Sequence, residues 1–290
     1  MTTKCRIPLI TGFGGYNAAG RSSGHNAYKR MVIESLPAAQ QNETILSLAS
    51  LMSLAQWKDS RFVDVGGRVI DSSAISEDLK RQVLEGTLVR RIESTHFDAS
   101  SSPIGRPVCI NASLDSPARF SIAAKNIPMP LPKGWKIVSR GDRECRVETT
   151  EPVVSVIQGT QVMPVQAAGQ LPRGFNPGDH YRSLHHPRGL QLSVMAASDA
   201  IHSLGMDWRN IVDHVRADQI GVYSSSVMSQ VDSQGFGGMF QARSAGQRVT
   251  SKTVALGLNK IPADCCNSPA LGKDALRGGR AGDEATMLYT

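Results

Sequence analysis

The chain has 290 residues, 40% hydrophobic and 20% charged, with 32 Lys and Arg against 25 Asp and Glu for a net charge of +7, so one large or two small cores can be buried. The basic residues are scattered and aromatics make up only 5%, leaving little to stack on bases, which argues against a nucleic-acid binder. The longest apolar run, ILSLASLMSLA, is interrupted by serines and too short to cross a bilayer. The start lacks a signal-peptide layout, and Cys5, Cys109, Cys145, Cys265 and Cys266 show no zinc spacing, so a cytoplasmic protein with reduced thiols and no membrane span is expected.

Arg6 to Thr11, RIPLIT, reads as a short buried strand whose pairing starts after Pro8. Gly12, Gly14 and Gly15 then turn the chain tightly. A dinucleotide fingerprint would need a third glycine where Asn17 stands and an acidic residue ending a second strand. Glu34 falls inside the first helix instead, and no Gly-Lys-Ser/Thr follows, so the glycines read as a turn rather than a phosphate cradle. Ser22 or Ser23 caps a helix to about Leu36, stopped by Pro37. A second helix is expected from Asn42 to Ala55, with Ile45, Leu48, Met52 and Ala55 on one face. A third runs from Ser76, its cap, to Glu85, with Gly86 as the stop.

From Pro107 to Val165 the pattern becomes short alternating runs, RFSIAA, WKIVS, CRVETT, VVSVI and TQVMPV, separated by turns such as RGDR at 140–143. A small sheet with hairpins is expected. A Pro/Gly-rich connection from Gln170 leads to a helix with Leu190, Val194, Ala197, Ile201 and Leu204 on one stripe and Gly205 as its stop. Asp207 caps a short helix, QIGVYSSS reads as a buried strand, FGGMFQAR as a glycine loop entering a helix, and IPADCCNS as a helix start with Pro262 in its first turn. Helices alternate with strands at both ends, so the fold class is α/β, interrupted by an inserted α+β segment of about 130 residues.

Candidate chemistry is sparse. His180, His185 and His186 lie in a Pro/Gly loop without a carboxylate or cysteine cluster and read as surface or helix-start residues, not metal ligands. His202 and His214 read as structural or solvated. Cys265 or Cys266 at a helix start would have a lowered thiol pKa, but no spacing ties either to a base, and buried packing is the plainer reading. Ser224, Ser225 and Ser226 follow a strand where α/β proteins place ligand loops, yet the Gly-x-Ser-x-Gly elbow of a hydrolase is missing.

The opening LITGFGG resembles the first strand and turn of the β-ketoacyl synthases, condensing enzymes of the thiolase superfamily. The helix ASDAIHSLGMDW, the strand QIGVYSSS and the stretch GFGGMFQARSAGQRVTSKTVALGLNKIPADCCNS resemble that family more specifically, in particular a bacterial branch with a long insertion after the first helix. The resemblance implies the N-terminal half of a thiolase-like fold, a mixed sheet with helices on its faces. Residues 1–36 would form its first strand and helix, 37–169 the α+β insertion, and 170–290 the remainder up to the nucleophile segment. It implies an acyltransferase of fatty acid or polyketide synthesis with no cofactor. A cysteine at a helix N-terminus accepts an acyl group from acyl carrier protein, and two histidines support decarboxylative condensation with a malonyl thioester. It also implies a homodimer. Met228, Phe236 and Phe240 are the residues placed to line an acyl pocket, with ordinary core packing as the competing reading.

The chain departs from the family after Ser268. An ungapped reading lays EATMLY on the nucleophile segment and puts Glu284 in the cysteine's place, and the last histidine is His214. A carboxylate cannot replace a thiolate in forming an acyl thioester, and a helix N-terminus would keep it ionised. A truncated, frame-shifted or genuinely divergent tail from 269 would each give this pattern. The chain is therefore expected to be inactive alone and, with apolar faces uncovered, to self-associate. A non-catalytic partner subunit of an active synthase and an unrelated binding module are the alternatives.

Overall fold

The computed structural model describes residues 9–94, 98–221, 223–224, 231–232, 234–244, 248–251, 257–258 and 261–266. The chain divides into two compact units, Met1–Arg90 with Ala167–Thr290, and Arg91–Gln166.

In the first unit, residues 9–15 are irregular and lead to a small hairpin of β1 (Tyr16–Asn17) and β2 (Gly20–Arg21). The buried strand expected over Arg6–Thr11 is not formed in its described part: Leu9 and Ile10 are 81% and 91% exposed. No strand lies beside them among the described residues, so their apolar character marks no ladder. The first helix is also broken. A 3-10 turn at Ser23–His25 holds Gly24 and His25 in the left-handed region, α1 covers only Asn26–Met31, and a second 3-10 turn covers Ile33–Ser35.

The second helix, α2 (Ala38–Leu51), starts directly after Pro37 and stops short of Ala55. Ala55 opens a hairpin that the sequence did not announce, β3 (Ala55–Lys58) and β4 (Arg61–Asp64). α3 (Glu77–Glu85) matches expectation: the Ser76 hydroxyl accepts from Leu79 N–H, and Gly86 follows as C-cap. Ile45, Leu46, Leu48, Ala49 and Met52 of α2 form one core with Ile33, Ala55, Phe62, Ile75 and Val83. Each large side chain so buried stabilises by roughly 1.5–3 kcal/mol. The helices α2 and α3 and the β3–β4 hairpin lie in the first unit, and the second unit covers only Arg91–Gln166.

The chain leaves the first unit along β5 (Val89–Arg91) and returns along β11 (Ala167–Gly169), which pair. α4 (Arg188–His202) buries Leu190 and Val194 on its expected stripe, and α7 (Ile261–Cys266), with Pro262 in its first turn, packs against it. α5 (Trp208–His214) is capped as expected by Asp207, whose carboxylate accepts from Arg209 N–H. α6 (Phe236–Ser244) begins at Phe236 itself, without a preceding loop through Gly237 and Gly238. The strand read from QIGVYSSS is absent in its described part. Ala217–Gln219 is a 3-10 turn, Ile220, Gly221 and Ser224 are irregular, and Tyr223 is 96% exposed.

The second unit is all-β. β6 (Ser102–Ile110) pairs antiparallel with β10 (Val153–Gln161) over their full lengths. β7 (Ala118–Ala123), β9 (Glu144–Thr149) and β8 (Trp135–Arg140) form a three-stranded antiparallel sheet. Its inner face carries Cys145, Val147 and Thr149, all fully buried, with Phe120 edge-on to Trp135 at 4.9 Å. The RGDR turn closes the β8–β9 hairpin, with Gly141 N–H donating to Glu144 C=O at 2.9 Å. The described residues thus carry ladders of two and three strands, not one broad mixed sheet. The strands expected to build that sheet, at 6–11 and 219–226, are unformed or lie outside the described residues.

Candidate functional site

The glycine turn lies along α4. A Cβ on Gly14 would fall 2.2 Å from Ala200 N, and one on Gly12 2.8 Å from Ala200 C=O, so only glycine lets the two backbones approach this closely. Phe13 N–H donates to Ser203 Oγ at 2.8 Å, and Ser203 Oγ donates to Ala200 C=O at 2.7 Å.

Asp199 sits at the centre of this contact, its side chain fully buried. Its Oδ2 accepts from Gly15 N–H at 2.8 Å and from Ser23 N–H at 3.3 Å. Oδ1 accepts from Ser23 Oγ at 2.6 Å and pairs with the Arg21 guanidinium. A buried carboxylate needs such partners. With an ion pair and three further donors its lone pairs are occupied, so Asp199 fastens the turn to the helix and has no free acceptor for a reacting proton.

Tyr16, beside this carboxylate, has its phenol pushed up to about 12, by burial first and then by the Asp199 charge. Its ring stacks on Phe175 at 4.8 Å, and Phe175 meets His180 at 5.2 Å. His186 Nδ1 lies 3.0 Å from Tyr181 Oη, and burial lowers the imidazole pKa. The three candidate loop histidines are therefore not brought to one point: His180 is against Phe175, His186 is held by Tyr181, and His185 takes a left-handed conformation with φ 68°. Among the described residues no group of three His, Cys, Asp or Glu converges to hold a metal ion. His202 and His214 direct Nδ1 at the backbone carbonyls of Ser198 and Asn210 four residues back, as structural histidines do.

Of the acyl-pocket candidates, Phe236 is half-buried over Gly257, with its Cδ1 3.1 Å from a Cβ placed there, and Phe240 is 67% exposed one turn along α6. Asp232 fastens this region: its carboxylate accepts from Arg188 N–H at the start of α4, and its Oδ1 from Gln234 and Gly235 N–H at 3.1 and 3.0 Å, just before α6. Met228, Ser225, Ser226 and Glu284 lie outside the described residues, as do the side chains of Cys265 and Cys266. The residues that sequence reasoning missed are Arg21 and Asp199, and Ser23, read as a helix cap, gives its hydroxyl to Asp199 instead. The available signal was an acid flanked by Ser198 and Ala200, small residues that permit close approach.

No family model matches the chain. It is 41% identical, over 98% of its own length, to the beta-ketoacyl-acyl-carrier-protein synthase FabY of Pseudomonas aeruginosa, of which it covers 45%. The crystal structure of the noncanonical ketosynthase FabY from P. aeruginosa superposes on 94% of the chain with a TM-score of 0.82 and 41% identity, 43% of that chain being covered. The chain thus spans less than half the length of the relative it matches. The α/β fold is thiolase-like, no described helix is long and apolar enough to cross a membrane, and nearly the whole chain is similar to part of a β-ketoacyl-acyl-carrier-protein synthase.

Proposed function

We propose that these 290 residues are part of a β-ketoacyl-acyl-carrier-protein synthase of fatty acid synthesis, taking acyl and malonyl thioesters from acyl carrier protein in the cytoplasm. The observation that carries this reading is the 41% identity to FabY sustained over 98% of the chain. In this reading residues 1–36 and 170–290 belong to the N-terminal half of the catalytic core and 37–169 to an insertion. The compact unit Arg91–Gln166 falls inside that insertion. Met228, Phe236 and Phe240 line the acyl site, with Phe240 ready to be covered because it stands exposed on α6.

The chain by itself does not complete the condensation. Acyl transfer needs a thiolate nucleophile, and decarboxylation needs donors that stabilise the enolate as carbon dioxide leaves. No histidine follows His214, and the ungapped family reading puts Glu284 where the cysteine belongs. The same feature favours a second reading, a non-catalytic partner of an active synthase. Incubation of the purified chain with acyl- and malonyl-carrier protein tests the inactivity: no 3-oxoacyl product is expected, and any product overturns it. The sequence of the adjoining locus separates the two readings. A continuation carrying a cysteine and two histidines supports the first, and a stop beside a separate intact synthase supports the second.

A further inference from the structure

The β6–β10 ribbon has two unlike edges. Its strands pair from Ser102 opposite Gln161 to Ile110 opposite Val153, and among the described residues neither has another neighbour. In an antiparallel ladder, pairs that exchange two hydrogen bonds alternate with pairs whose N–H and C=O point away from each other. Proline has no N–H, so Pro107 opposite Val156 and Pro103 opposite Thr160 fix which pairs point away. Gly105–Gln158 and Cys109–Val154 share that parity.

The outer edge of β6 therefore lacks two of its outward donors, one of the ways proteins guard a strand edge. The outer edge of β10 has no such guard. Val154, Val156, Gln158 and Thr160 each turn an N–H and a C=O outward, and the strand contains no proline and no charge. Every residue from Val154 to Gln161 is exposed, Val154 by 72%, Val156 by 56% and Ile157 by 58%. Among the described residues no backbone hydrogen bond reaches this edge.

We propose that the β10 edge is a self-association surface whose occupant is β10 of a second copy of the chain, running antiparallel. A two-fold axis at Ile157 places Val154 opposite Thr160 of the partner subunit and Val156 opposite Gln158 of the partner subunit. All four outward residues of each copy then meet outward residues in hydrogen-bonded pairs, while Ile157 meets Ile157 of the partner subunit in a close, non-hydrogen-bonded pair. β10 has no charge to oppose its own copy. Arg106, opposite Ile157 on β6, stands three strand spacings, about 14 Å, from Arg106 of the partner subunit, beyond the screening length of about 8 Å.

The assembly closes itself. Its strand order, β6–β10 followed by β10–β6 of the partner subunit, ends on proline-bearing edges at both sides, so pairing stops at two. It also makes a four-stranded sheet from two ribbons, each of which is at the margin of independent stability in water. The proposal is independent of the condensing chemistry.

Sedimentation of the full chain tests it. The chain is expected at about twice its 31.2 kDa mass. Gln158→Pro takes away an outward donor without touching a bond to β6, so it is expected to return the mass to 31.2 kDa with the wild-type far-ultraviolet circular dichroism spectrum. Ile157→Cys in a Cys109→Ser background is expected to give a disulfide-linked dimer on mild oxidation, whereas Cys109→Ser alone does not. A monomeric wild-type chain, a Gln158→Pro chain that stays dimeric, or a failure of Ile157→Cys to cross-link each overturns the proposal.

Discussion

Arg21 on a two-residue strand and Asp199 on α4, 178 positions apart, form an ion pair with the carboxylate fully buried. Breaking a buried pair by removing one partner leaves the other charge uncompensated, which costs about 3–5 kcal/mol. Asp199→Ala is expected to lower the unfolding free energy by that amount in urea. It also frees Gly15 N–H and Ser23 Oγ, so hydrogen exchange should accelerate across 12–23 before the rest of the chain. Arg21→Met should cost less than Asp199→Ala, because the carboxylate keeps its contacts with Gly15 and Ser23.

Tyr16 ties the same node to alkaline pH. Its folded-state pKa is pushed up to about 12 from the ordinary phenol value of 10.0. Below pH 10 both states hold the proton and this contribution to stability is fully present. Between pH 10 and 12 the unfolded state loses its proton first, so stability falls with rising pH by roughly 2–3 kcal/mol. Tyr16→Phe removes a titrating group, and its unfolding free energy should show a shallower decline over that window than the wild type.

The parts of the fold written in local chemistry were legible in the sequence. Ser76, Gly86 and Asp207 mark helix ends through their own side chains or lack of one, and RGDR marks a hairpin through turn residues. What failed were readings that depend on a distant partner. The run PLIT looks like a strand because it is apolar, but strand formation needs a neighbour, and Leu9 and Ile10 stand in solvent. Ser23 looks like a cap, yet its hydroxyl goes to Asp199. Asp199 itself lies nine residues after Leu190, about half a turn round from the apolar stripe. One hydrophobic stripe cannot reveal that the opposite face of α4 receives the glycine turn.

That turn gives a sharp comparison between two glycines. Gly14→Ala drives a methyl to within 2.2 Å of Ala200 N and 2.5 Å of Asp199 C, atoms of a helix backbone that cannot yield. It is expected to cost about 3 kcal/mol or more and to detach 12–23 from α4. At Gly169 the nearest atom to an added Cβ is Ala18 Cβ at 3.4 Å, an ordinary contact. Gly169→Ala should therefore stay within about 0.5 kcal/mol of wild type. Equal effects of the two changes in urea unfolding would show that turn and helix are not in contact.

The β3–β4 hairpin offers the opposite case, a site where glycine is missing. Asp59 and Ser60 connect the paired residues Lys58 and Arg61 with φ values of 50° and 60°, the left-handed pair of a type I′ turn that favours Asn-Gly. Ser60 bears a Cβ in a conformation that costs roughly 1–2 kcal/mol for an L-residue. The turn aligns Trp57 edge-on to Phe62 at 4.7 Å, and Phe62 is 97% removed from solvent in the core beneath α2. Glycine at position 60 adds freedom to the unfolded chain, which offsets roughly 0.5–1 kcal/mol of the relief. Asp59→Asn with Ser60→Gly is expected to raise the urea midpoint, by about 1 kcal/mol of stability, without changing the slope. Ser60→Val, which adds a β-branch at positive φ, should lower it by at least as much; if both variants move the midpoint the same way, the turn is not the strained element it is taken to be.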